Sequence, residues 1–215
     1  MPKYLGQPLA DKLSEIKGLP PEDREIVAYG LEYLLSGASG VVLALSIGFL
    51  LGMLRETTAV IICWGMMRLF AGGSHCTTLW RCTVASLTFI TAATLLSRGV
   101  SLLIPTEMFV PAAITWTVVA VQAWAPTNSE KPVRDAAKRR EMRRRALLLV
   151  SAAAIILLYL AFSEAAQLQV QASAGAIGLA GGAFFLSPPG FRLVERCNES
   201  MEYLYQIFFK GGELP

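Results

Sequence analysis

The chain has 215 residues, of which 54% are hydrophobic and only 16% charged, against roughly 25% charged in ordinary soluble domains. A soluble core cannot use that much apolar surface without exposing patches, whereas a bilayer can. The net charge of +3 is small, no folded nucleic-acid reader accompanies the basic residues, and the cysteines (Cys63, Cys76, Cys82, Cys197) form no CxxC pair. These features argue against a nucleic-acid partner, a zinc ribbon and a disulfide framework.

In chain order, residues 2–17 are polar and mixed in charge. No cleavable signal peptide is expected, so the membrane segments serve as their own signals. Leu5, Leu9, Leu13 and Ile16 recur at helical spacing with Lys12, Glu15 and Lys17 between them. This is an amphipathic helix, either an ordinary surface helix or one lying in the membrane interface. Gly18 and Pro20-Pro21 end it, and Pro21-Glu22-Asp23 opens a second helix with acids in its first turn. Residues 1–37 are therefore read as an N-terminal interfacial region.

Residues 40–54 and 57–70 are apolar but short, separated by Arg55-Glu56. Each falls below the ~20 residues that cross a hydrocarbon core of about 30 Å. They are tilted, or extended by a helix over residues 33–39, or a pair that enters and leaves without crossing. Residues 83–104, 108–124, 146–162 and 172–186 are better candidate spans. The expected fold is all-α: a polytopic helical membrane protein of about six segments. A membrane-embedded domain covers 38–187, and an amphipathic tail covers 188–215. The glycines at 175, 178, 181 and 182 read as close helix packing, and Cys63 and Cys197 as packing residues.

The 126–145 loop holds Lys131, Arg134, Lys138, Arg139, Arg140, Arg143, Arg144 and Arg145, opposed only by Glu130, Asp135 and Glu141. The positive-inside rule makes it cytoplasmic, and with it the 72–82 stretch and both termini. Two readings of this loop stand. It is a topology anchor touching anionic lipid, or it is a docking surface for an acidic peptide, with Lys131, Arg139, Arg140 and Arg143 as candidate contacts.

The chemistry concentrates in residues 68–86. His75, the single histidine, lies beside Cys76 and seven residues before Cys82. A thiol becomes a competent nucleophile as a thiolate, and an imidazole both eases that change and protonates a leaving amine. On one continuous helix the pair would stand about 10 Å apart along the axis, so the chain must fold back between them. Gly72-Gly73 supplies backbone freedom for that return. Thr77-Thr78 can start a helix carrying Cys82 near its first turn, where the helix dipole and Arg81 would favour a thiolate. Ser86 shares a helical face with Cys82 and either donates to His75 or a substrate carbonyl, or bonds its own backbone. His75, Cys76 and Cys82 offer three metal donors at most, without paired spacing, so no metal is expected.

The run Gly72-Gly73-x-His75, six residues, then Cys82-x-x-x-Ser86 resembles the accessory gene regulator B family of bacterial quorum-sensing peptidases. Arg68 stands where that family has a basic residue ahead of the glycines. Ala125-Pro126 followed by Lys131-Pro132 is similar to its second signature. The resemblance covers residues 29–145 and implies that Cys82 is the nucleophile and His75 its base. It further implies a small propeptide substrate with an amphipathic leader and an acidic C-terminal tail. The tail is removed through an acyl-thioester, and an internal thiol or hydroxyl then closes a thiolactone or lactone. A homodimer in the bacterial cell membrane, with its site at the cytoplasmic face and no cofactor, is implied as well. Two departures stand out: Cys76 replaces a small apolar residue, leaving open which sulfur attacks, and Met67 stands where relatives often carry a second basic residue. Arg68 either binds substrate or orients the loop. A non-enzymatic peptide-binding or export subunit is the alternative from another class.

Overall fold

A computed structural model of the chain describes residues 8, 11, 12, 15, 18, 20–127 and 135–209. The amphipathic helix expected before Gly18 falls mostly outside them. Among the described residues the fold is all-α, with seven long helices and no strand. These are α1 (Pro21–Leu50), α2 (Leu54–Ala71), α3 (Leu79–Leu103), α4 (Thr106–Trp124), α5 (Ala136–Ala161), α6 (Ala166–Phe184) and α7 (Pro188–Phe209).

The six expected apolar segments map onto α1 to α6, with different lengths and status. Four helices are long and apolar enough to cross a membrane: residues 23–50, α3, α4 and α5. The α6–α7 pair, bent by 87°, makes a fifth if taken as one broken span. The first short segment is the distal half of a 30-residue helix that begins at Pro21. The second, α2, carries Arg55, Glu56 and Arg68 within its 18 residues, which sets it apart from an ordinary span. The chain is a multi-pass membrane protein on this architecture, and its exposed leucines, isoleucines and aromatics fit a lipid surround.

α6 is the hub. It packs against α2, α3, α4 and α5, and most of its surface is buried. Its small residues let the backbones approach, as in other membrane helix pairs. A Cβ on Gly178 would stand 2.9 Å from the Val60 carbonyl oxygen, and one on Gly182 would stand 2.7 Å from the Cβ of Met67. The glycine cluster is thus a packing surface. Met67, at the position where the resemblance implies a second basic residue, is buried against it. Cys63 also packs on this surface, but Cys197 is exposed on α7, contrary to its expected packing role.

Polar ties fix the helix ends. Arg98 at the end of α3 donates to the Gly52 carbonyl at 3.0 Å and lies 4.0 Å from the buried Glu56 carboxylate. Thr94 reaches Thr57 at 3.4 Å, and Ser101 reaches Ser173 at 2.9 Å. The 126–145 region is only partly a loop. Asp135 caps α5 by accepting from the Ala137 amide at 2.8 Å, so Lys138 onward forms a cationic first section of that helix.

Candidate active site

Three elements meet at the thiol. α2 ends with Arg68, the 72–78 loop carries His75 and Cys76, and the first turn of α3 carries Cys82. Thr78 is the N-cap, and the Cys82 amide closes the turn onto its carbonyl at 3.1 Å.

The loop is folded back by its glycines and by an unforeseen partner, Thr127. The Gly73 amide donates to the Thr127 carbonyl at 2.8 Å, and the Thr127 amide donates to Ala71 at 3.0 Å. Gly72 adopts φ +84°, and a Cβ there would run into the Thr127 carbonyl oxygen. Thr127, directly after Ala125-Pro126, is therefore the bed on which the histidine loop lies. Arg143 Nε holds that bed by donating to the Ala125 carbonyl at 2.8 Å. Gly72→Ala should destabilise the fold by about 3 kcal/mol or more, since backbone strain of that kind alone costs about 1–3 kcal/mol. Thermal unfolding in detergent measures this, and a transition within a degree of the parent would contradict it.

The return brings His75 and Cys82 together. Cys82 Sγ lies 3.9 Å from His75 Nδ1. Arg68 binds both sides of the loop: Nη1 donates to the Ser74 carbonyl at 2.6 Å, and Nη2 meets His75 Nδ1 at 2.9 Å. The same Nη2 lies 4.0 Å from Cys82 Sγ. Trp64 stacks under the guanidinium, its ring centroid 5.4 Å away. Of the two roles open to Arg68, these contacts are those of an orienting residue. Because a guanidinium only donates, the contact fixes the ring with Nδ1, the nitrogen nearest the sulfur, as acceptor.

Arg81 behaves differently from expectation. Its guanidinium pairs with Glu202 on α7 and reaches Thr77 and Asn198, so the cation beside the thiol is Arg68. Ser86 lines the same two cavities as Cys82, as its helical register requires. Of the proposed peptide contacts, Arg139 and Arg140 are exposed on α5, Arg143 is engaged with Ala125, and Lys131 lies outside the described residues. Among the described residues no cluster of three or more His, Cys, Asp or Glu forms a metal site.

Cys76 is buried. Its hydrogen bond with Cys82, then its burial, push this thiol well above the ordinary range. Both effects disfavour its thiolate, the reactive form. Iodoacetamide should therefore label Cys82 at least about tenfold faster than Cys76, read by mass spectrometry of digested peptides. Equal labelling would refute this.

Cys82 lines two cavities. One, of about 410 Å³, runs between α1, α2 and α3 and is lined mainly by apolar side chains, with His75, Arg68 and Cys82 at its wall. The other, of about 30 Å³, is lined also by Phe89, Phe185 and Val194. The arrangement presents a thiol, an imidazole and a guanidinium to a mostly apolar groove, which suits acyl transfer with limited water.

The model of one protein family, accessory gene regulator B, matches residues 7–185. No curated protein and no solved structure matches the chain. The match covers α1 to α6 and the 72–78 loop, and the chain belongs to the accessory gene regulator B family, which is involved in quorum-sensing propeptide processing.

Proposed function

We propose that the chain is a membrane cysteine endopeptidase that removes the acidic tail of a small signal propeptide and closes the remaining segment into a ring. The observation that carries this is the placement of Cys82 Sγ and His75 Nδ1 at 3.9 Å, bridged by Arg68, beside the apolar groove. Cys82 gives its proton to His75 Nδ1, while Arg68 Nη2 shifts from that nitrogen to the sulfur. The thiolate attacks the carbonyl carbon at the tail junction. Collapse of the tetrahedral adduct breaks the C–N bond, His75 returns the proton to the leaving amine, and a thioester remains on Cys82. An internal thiol or hydroxyl then attacks the thioester, losing its proton as Cys82 regains one. The groove holds the two ends close and keeps water away.

The same reading places the 72–78 loop and the cationic start of α5 at the cytoplasmic face of a bacterial cell membrane. Exposed Lys138, Arg139 and Arg140 complement an acidic tail by charge. A homodimer belongs to this reading on family membership alone.

The test is reconstitution in liposomes with a candidate propeptide carrying an acidic C-terminus. The expected result is a thioester adduct on Cys82 that hydroxylamine releases, and a product one water lighter than the linear acid. A product of linear mass would leave the peptidase and remove the cyclisation. No adduct and no cleavage would favour a peptide-binding or export subunit.

A further inference from the structure

α7 lies beyond residue 185, where the family match ends. It turns away from α6 by 87° and is not part of the helical core. Yet it touches the segment that joins His75 to Cys82. Asn198 Oδ1 accepts from the Thr77 amide at 3.2 Å and from the Thr77 hydroxyl at 3.0 Å. Arg81 Nη1 reaches the same oxygen at 3.4 Å, and Arg81 Nη2 pairs with Glu202. Gln206 donates to the other Glu202 oxygen at 3.0 Å, and Tyr205 stacks on Trp80 at 6.0 Å. Val194 enters the wall of the small cavity beside Cys82.

Thr77 is the penultimate residue before α3, and Arg81 immediately precedes Cys82. Arg81 is only 5% exposed. A guanidinium so buried depends on its partner, because removing one member of such a pair leaves an uncompensated charge. Residues 198 and 202 are one turn apart, which puts both on one face of α7, against the start of α3. Meanwhile Leu193 and Leu204 are exposed on the opposite face, so the polar pair, with Tyr205 against Trp80, fastens this part of α7 to the site.

We infer that α7 is a positioning element: Asn198 and Glu202, acting through Thr77 and Arg81, set the start of α3 and thereby the approach of Cys82 to His75. This rests on the reading of Cys82 as nucleophile. It adds two residues that act through others and never meet substrate.

The test uses the full chain in liposomes, with two readouts: the rate of Cys82 alkylation by iodoacetamide, and kcat and KM for propeptide cleavage. Glu202→Arg should lower both the alkylation rate and kcat by about tenfold or more, with KM within about threefold, since it sets a second cation against the buried Arg81 guanidinium. The reciprocal pair Arg81→Glu with Glu202→Arg should recover at least about a third of each loss. Should Glu202→Arg fail to fold, Glu202→Gln and Asn198→Ala, at half-buried positions, carry the same readouts with losses of about threefold or more. Parent-like alkylation and kcat in these variants, or a double variant no better than the single ones, would overturn the inference. If cleavage instead proves independent of Cys82, the nucleophile assignment fails separately, and the alkylation rate still reports whether α7 sets this segment.

Discussion

Cys82→Ala should lower propeptide cleavage by about 10³-fold or more, whereas Cys76→Ala should keep it within about tenfold of the parent. Removing a nucleophile eliminates the covalent route altogether, and losses on the order of 10³-fold or greater are usual for such groups. The two thiols share a loop and a helix turn, but the groups around them differ. Cys82 is partly exposed, lies within 4.0 Å of both the Arg68 guanidinium and the His75 ring, and opens onto the large groove. Cys76 is buried, lines only the small cavity among the two described, and its thiol is pushed up by its bond to Cys82 and by burial. On the proposed mechanism Cys76 supports the attacking sulfur. Its loss removes one hydrogen bond to that sulfur, a modest effect of about 1 kcal/mol. Initial rates in liposomes with equal amounts of folded protein give the comparison. Should Cys76→Ala be the inactive variant and Cys82→Ala the active one, the roles of the two sulfurs would be exchanged.

The helices were legible because long apolar runs leave little choice, and the glycines of α6 were legible because small residues at helical spacing mean close packing. The start of α1 at Pro21 was readable for the same reason that proline favours a first helical turn. The helical half of the basic region was missed although Asp135, an ordinary N-cap residue, marked it. Arg81 was assigned to the thiol by adjacency in sequence. Adjacent residues on a helix point about 100° apart, so Arg81 faces α7 while Cys82 faces the groove. Arg68, 14 residues earlier, supplies the nearby charge instead. Its stacking with Trp64, four residues before it on α2, was a signal available in the sequence. Thr127 under Gly72, and Asn198 with Glu202 over Arg81, had none. Such contacts depend on helix packing across tens to more than a hundred positions, which local spacing does not encode.

Arg68→Ala should lower kcat by roughly 10³-fold and leave KM within about threefold, and Arg68→Lys should recover only part of that loss. The guanidinium makes one charge-assisted bond to the Ser74 carbonyl and a second to His75 Nδ1. Two such bonds at about 2 kcal/mol each come to about 4 kcal/mol, the equivalent of roughly 10³ in rate. Both act on the position of the imidazole and on the charge beside the sulfur. They carry no contact that a distant part of the propeptide would use, so the effect belongs in kcat. Lysine keeps the charge but lacks the planar fork that spans two acceptors, and its ammonium can satisfy the carbonyl or the ring but not both in this geometry. It should therefore sit about thirtyfold below the parent, the cost of one of the two bonds. A substrate-binding role gives the opposite pattern: KM rises, and kcat at saturating propeptide stays near the parent. The Cys82 alkylation rate, measured without substrate, separates the cases again. An orienting Arg68 requires it to fall in step with kcat, and a rate unchanged in Arg68→Ala would exclude that role.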